Sequence, residues 1–187
     1  MLVTDPAELG RFIDERTVRD LFRLETLDRY DVASDGGDFA RYLAGEPGPD
    51  MERKGRFLAA LQADQARGLT TRRVHVVRSP LTPYLRYEME WGYAHNAAYE
   101  DIRILDLAEV PEPAGLVAHD FWLIDDREVA IMDYDGEGRY LGFVPAPADS
   151  RFLAARDAAW RAGAPFGAYW DSHRQYWRAN GPPPDTG

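Results

Sequence analysis

His119 and Asp126 stand seven residues apart within AHDFWLIDDREVAIMDYDGEGRYLGF, residues 118–143. A histidine steadied by an aspartate can attack phosphorus, and a second histidine can protonate the leaving oxygen. Such chemistry also needs a cation to hold the charged oxygens. Phe121, which stands between the pair, offers no such cation. The chain supplies one such pair, so a two-histidine site would need a homodimer. The plainer reading is that His119 precedes an amphipathic strand with Phe121 and Leu123 on one face.

A second set is richer in charge: Arg72, Arg73, Arg78, Arg86, Glu88, Glu100 and Asp101. An arginine at a strand end can clamp a carboxylate or phosphate in bidentate fashion. The alternative is an internal ion-pair network that orients helices against a sheet, and the two are compatible. With Tyr84, Asn96 and Trp122, the residues Arg73, Arg78, Arg86, Glu88, Glu100 and Asp101 are the ligand-binding candidates. Near the C-terminus, Phe166, Tyr169, Trp170, Tyr176 and Trp177 fall at helical spacing. Phe166 and Tyr169 suit a core, whereas Trp170, Tyr176 and Trp177 are candidates for a partner interface. No metal site is expected. His75, His95, His119 and His173 are dispersed, and Asp133-x-Asp135-Gly136 lacks the length and final glutamate of a calcium loop. No cofactor is expected either, because no phosphate-binding loop, dinucleotide fingerprint or G-x-S-x-G elbow occurs.

These residues need elements to hold them. Asp5, Pro6 and Glu8 open a helix whose apolar positions Leu9, Phe12 and Ile13 continue at helical spacing through Val18, Leu21 and Phe22. Residues 23–32 read as extended. A short helix starts at Asp38 and stops at Gly45, and a third runs from Asp50 to Arg67. Residues 72–78, RRVHVVR, read as a buried strand, with Arg72, Val74 and Val76 on one face and Arg73, His75 and Val77 on the other. Residues 82–96 fit a helix by spacing and a strand by the alternation in YLRYEMEWGY. In the strand form Arg86 and Glu88 enter one buried polar cluster with Glu100. In the helix form Arg86 is lateral. The buried arrangement is the expectation. Strands follow at 102–107, 121–124, 128–134 and 139–144, the last three as hairpins around 125–127 and the glycine-rich 135–138. Asp149 caps a helical region that breaks near Pro165 and resumes to about Trp177.

The expected fold is therefore α+β: a helical N-terminal third packed on a mixed or antiparallel sheet of four to five strands, with a C-terminal helix. Residues 1–180 form one domain, helical over 5–68 and α+β over 71–178, with a disordered tail at 181–187. The length suffices for one well-formed core. Cysteine is absent and no apolar run approaches the roughly 20 residues of a membrane helix, so a cytoplasmic location without membrane contact is expected. The net charge of −10 argues against direct nucleic-acid binding.

The segments RLETLDRYDV, FARYLAGE, ARGLTTRRVHVVRSPLTPYLRYEMEW, NAAYEDIRIL and DFWLIDDREVAIMDYDGEGRYLGF, with the closing AWRAGAPFGAY, resemble an actinobacterial family of small proteins of unknown function. The likeness spans roughly Phe12 to Tyr169. Members commonly sit beside helix-turn-helix regulators, which implies a regulatory protein partner and no known chemistry. His119 and Asp126 also have the outer spacing of the H-x-K-x4-D motif, and the order of elements is similar to half of a phospholipase D-like fold. The expected function is a non-catalytic ligand- or partner-binding accessory to a helix-turn-helix regulator. The alternatives are a small enzyme of a biosynthetic cluster acting on an anionic small molecule, and a degenerate phosphodiesterase.

Overall fold

The central strand of the sheet comes from residues whose spacing suggests a continuing helix. In the computed structural model, which describes residues 1–31 and 37–178, helix α1 (Pro6–Arg16) ends early and strand β1 (Asp20–Glu25) follows. Thr17 stops the helix. It is extended, and its hydroxyl and its amide both bond to the Ile13 carbonyl. Asp125 then accepts bonds from the amides of Val18, Arg19 and Asp20 at 3.1, 2.9 and 2.8 Å. Three donors that a helix would have used internally are thus taken by a residue about a hundred positions away, and the chain enters the sheet.

The chain continues through α2 (Asp38–Leu43), α3 (Met51–Ala66), β2 (Thr70–Val77), α4 (Pro83–Tyr87), a π-helical turn over Glu88–Tyr93, and α5 (Ala94–Asn96). Then come β3 (Asp101–Asp106), β4 (Phe121–Ile124), β5 (Glu128–Tyr134), β6 (Tyr140–Pro147), α6 (Ser150–Ala162), the two-residue β7 (Ala164–Pro165) and α7 (Phe166–Ser172). The seven strands lie in the order β6-β5-β4-β1-β2-β3-β7. β1, β2 and β3 run parallel, and every other pairing is antiparallel.

The α+β expectation holds, with two corrections. Among the described residues the sheet has seven strands rather than four to five, and the N-terminal third supplies one of them, so it is not helical throughout. The tail at 181–187 lies outside the described residues. Residues 82–96 are helical: Thr82 caps by accepting from Leu85 N at 3.2 Å, and Pro83 occupies the first turn.

The register sorts side chains onto two faces. Phe22, Leu24, Val74, Val76, Leu105, Phe121, Leu123 and Val129 form the core on one face, closed by Phe152, Ala155 and Ala159 of α6. Each large side chain there contributes about 1.5–3 kcal/mol by leaving water. Asp149 starts the covering helix by accepting from Arg151 N at 2.9 Å. The opposite face carries Arg23 and Glu25 of β1, Arg73 and His75 of β2, and Trp122 of β4, with Arg23 paired to both Arg73 and Trp122. Helices α1, α3 and α4 with the π turn wall this face, and their residues line the cleft above it.

Candidate functional site

Arg23 is the centre of the second face and is only 3 % exposed. Its Nη2 donates to Asp120 at 2.8 Å and to the Tyr134 hydroxyl at 3.1 Å, and its Nε lies 3.5 Å from Glu25. Its Nη1 is buried and makes no hydrogen bond among the described residues. Asp120 also accepts from Thr26 N, the Thr26 hydroxyl and the Tyr30 hydroxyl at 2.8, 2.7 and 2.6 Å. The β5–β6 turn supports this corner. Gly138 has φ of 81°, and a Cβ there would run into the Arg29 carbonyl next to Tyr30.

Arg73, beside it, bridges two carboxylates. Its Nη1 is 2.7 Å from Glu25 and its Nε donates to Glu100 at 2.8 Å. Both guanidiniums lie over the Trp122 ring, at 5.1 Å for Arg23 and 5.9 Å for Arg73. Burial alone would raise the Glu25 carboxyl, but Arg73, then Arg23 and His75, hold it well below the usual carboxylate range.

His75 is fully enclosed. Its Nε2 donates to the Leu27 carbonyl at 2.9 Å and its Nδ1 to the Tyr93 hydroxyl at 2.7 Å, and Tyr93 in turn donates to Glu25 at 2.8 Å. Burial pulls the imidazole down, yet Glu88, helped by Glu25 and the Leu27 carbonyl, pushes it up to about 9. It is therefore an imidazolium near neutrality, which fixes both ring nitrogens as donors. Glu88 Oε2 forms an ion pair with Nδ1 at 3.3 Å and has no other polar partner among the described residues. The π turn places Glu88 here. Such wide turns recur at functional sites because they re-aim side chains within a helix.

Lys54 reaches in from α3 and donates to Asn96 at 2.7 Å and to the Gly92 carbonyl at 3.3 Å. Burial first, then the charge of Arg73, lowers its ammonium to about 8. The set is balanced: Arg23, Arg73, His75 and Lys54 face Glu25, Glu88, Glu100 and Asp120.

Above these groups lies a cleft of about 920 Å3, within the range of roughly 300–1,000 Å3 typical of small-molecule sites. Aromatic and charged side chains share its wall. Arg23, Glu25, Arg73, Glu88 and Lys54 meet Trp91, Trp122, Tyr134 and Tyr140 there, and α1 contributes Leu9 and Ile13. The Tyr140 hydroxyl is also buried without a hydrogen bond among the described residues.

Of the ligand-binding candidates read from the sequence, Arg73, Tyr84, Glu88, Asn96 and Trp122 line this cleft. Glu100 lies behind Arg73 and is 3 % exposed. Arg78 and Asp101 are on the surface, Arg78 lying 3.6 Å from Glu112. Arg86 is a correction: the helix turns it sideways, where it donates to the Leu81 carbonyl at 3.2 Å and packs over Tyr176 at 5.2 Å. It has no part in a cluster with Glu100. His119 and Asp126 are a second correction. Both are exposed, at opposite ends of β4, which holds them more than roughly 10 Å apart. Asp126 pairs with Arg156 instead. Trp170 and Tyr176 are a third, because they are buried with Phe166 and Tyr169, and half-buried Trp177 packs against them.

Arg23, Glu25, Lys54, His75, Tyr93 and Asp120 escaped the sequence reading. For Arg23, Glu25 and His75 the signal was alternation: R-x-E in LFRLE and R-x-H in RRVHVV place charge at every second strand position. Among the described residues two groups have metal-compatible spacing, Glu25/His75/Glu88 and Asp106/Glu109/His173. The first sits beside two guanidiniums that oppose a dication. In the second, Asp106 already accepts from Ser79 N, Ala108 N and the Tyr169 hydroxyl, and both nitrogens of His173 are engaged. Neither donor set favours a metal.

Residues 7–171 match the family described as a domain of unknown function, DUF6879. The chain belongs to that family. The cleft, its walls and the charged set all fall within the DUF6879 span except Pro6 at the rim. No curated protein matches the chain. No helix among the described residues is long and apolar enough to cross a membrane.

Proposed function

We propose that this chain is a non-catalytic binding protein whose cleft takes a small molecule bearing an anionic group, and that it acts as accessory to a helix-turn-helix regulator. Arg23 carries the first half. Its guanidinium lines the cleft beside that of Arg73, both over the Trp122 ring, and a pair of arginines in a cleft wall is suited to hold an anionic group. The titratable groups favour binding over turnover. His75 is sealed beneath Tyr93 and already protonated near neutrality, so it is poorly placed to accept a substrate proton. The regulatory half rests on the sequence likeness and on an acidic chain that suits a basic partner.

Thermal melts with fractions of a metabolite extract test the cleft, since ligand binding raises the melting temperature by mass action. A stabilising fraction whose effect disappears in Trp122→Ala supports the reading. Absence of any such fraction ends it. For the partner, failure to co-purify with the neighbouring regulator at micromolar concentration, with and without extract, removes the regulatory role. The shifted His75 beside Glu88 favours a second reading, an enzyme acting on the same anionic ligand. It requires turnover of the stabilising ligand that Glu88→Gln abolishes.

A further inference from the structure

We infer that the cleft holds its ligand through a reversible covalent bond: Lys54 forms an imine with an aldehyde or ketone that also carries an anionic group. The inference rests on the reading of this cleft as a ligand site and names the ligand's reactive group. Three observations combine. The first is the set of partners around Lys54. Each arginine of the cleft wall has a carboxylate: Arg23 has Asp120, Arg53 has Asp38, Arg73 has Glu25 and Glu100, and Arg139 has Asp135. Lys54 lines the same cleft and forms no ion pair among the described residues. It donates instead to two neutral oxygens, Asn96 Oδ1 at 2.7 Å and the Gly92 carbonyl at 3.3 Å. Those bonds use two of its three N–H groups, so a neutral amine keeps both and has its lone pair left over.

The second observation is access. Lys54 is half-buried, and the Phe57 ring that lies 5.4 Å from its Nζ is itself 46 % exposed at the cleft. An arginine here would supply the same charge but stays protonated and inert. Burial, then Arg73, lowers the Lys54 ammonium to about 8. About a tenth of it is therefore neutral at pH 7, against fewer than about one in a thousand for a solvated lysine.

The third is the distance to the arginines. Asn96, which accepts from Lys54, also donates to Glu100 at 3.4 Å, and Glu100 accepts from Arg73 at 2.8 Å. Amine and guanidinium thus stand two polar groups apart on one wall. A ligand that sets its anionic group against the guanidinium has the amine within reach of a carbonyl on the same body. Trp91 and Trp122 favour a flat body. In the step itself, the amine lone pair bonds to the carbonyl carbon while the carbonyl π pair moves to oxygen. Both amine protons pass to that oxygen, which leaves as water, and a C=N bond remains. One proton from solvent gives the iminium, whose charge equals that of the ammonium it replaces, so the charged set stays balanced.

Three probes that share one ring test this. They are 4-carboxybenzaldehyde, benzaldehyde, which lacks the anion, and 4-methylbenzoate, which lacks the carbonyl. The full chain is incubated with each aldehyde at pH 7 and reduced with cyanoborohydride, and peptide mass mapping locates the adduct. 4-Carboxybenzaldehyde is expected to half-label Lys54 at a concentration at least tenfold below that of benzaldehyde. In melting curves without reductant it should stabilise the protein more than 4-methylbenzoate does, and Lys54→Arg should abolish that difference. The same curves show whether the variant folds, and the labelling contrast needs no variant. No adduct at Lys54, or equal labelling by the two aldehydes, overturns the inference, as does a stabilising difference that survives in Lys54→Arg. If Lys54 stays unlabelled while 4-methylbenzoate or an extract fraction stabilises the protein through Trp122, the imine is wrong and the ligand site stands. If neither labelling nor stabilisation occurs, both fall.

Discussion

One sheet presents two buried faces built on opposite principles. Phe22 and Leu24 point to one side of β1, and Arg23 and Glu25, one residue along, point to the other. All four are under 7 % exposed. The apolar face is stabilised by area removed from water and tolerates imprecision. The charged face contributes little net energy, because each ion loses its water and recovers it only if every partner is in place. Equal burial therefore means different things. The side under α6 can carry the fold, which leaves the other side free for a geometry that serves binding.

Removing one ion should break this contrast most sharply. Arg73→Ala takes the guanidinium from buried Glu100 and leaves Glu25 with Arg23 and Tyr93, and should lower unfolding free energy by about 3–5 kcal/mol in urea titration. A loss under about 1 kcal/mol would mean the charged face is solvated in practice. On the apolar face, Leu123→Ala should cost about 3 kcal/mol, with no change in ligand affinity because no apolar-face side chain lines the cleft. An affinity loss there would show the faces to be coupled.

The pH dependence separates them next. His75 has a folded pKa raised above the unfolded value of about 6.5. Its contribution is full below that pH and is lost as pH rises through about 9. The span corresponds to about 3 kcal/mol at most. Glu25, depressed when folded, acts in the opposite direction, contributing above its ordinary range and losing that as pH falls. Stability should peak between about pH 5 and 6.5. Urea titrations at pH 6 and 9 should show the loss in wild type and a flatter profile in His75→Phe, and identical slopes would remove the imidazolium from the network. The smallest effect belongs to Arg86→Ala, at about 1 kcal/mol or less, because it bonds to one carbonyl and leans on Tyr176 outside the charged set.

What was legible in the amino-acid pattern was local. RRVHVV announces β2 by its β-branched run, the 121–144 hairpins by alternation and turn residues, and α6 by Asp149. The parity of Arg73 and His75 against Val74 and Val76 was also readable, and with it part of the cleft. Strand β1 was not. Leu21 and Phe22 extend the spacing of Phe12 and Ile13, and what turns the chain into the sheet after Thr17 ends the helix is the carboxylate of Asp125. In the same way Arg23 resembles a solvated charge until Asp120 and Arg73 arrive beside it from distant strands. Residues 82–96 satisfy both periods, and the cap at Thr82 with Pro83 decides between them. Partners far along the chain were invisible because charge pairing leaves no periodic trace.

Lys54 is the only lysine of these 187 residues, and it stands in the cleft wall with an ammonium lowered to about 8. A free amine at mild pH is a nucleophile, so reductive methylation with labelled formaldehyde should mark this one side chain, apart from the terminal amine. The dimethylamine would retain its charge and give a single resolved NMR signal from the cleft wall. Its chemical shift would follow the occupancy of the cleft without any substitution.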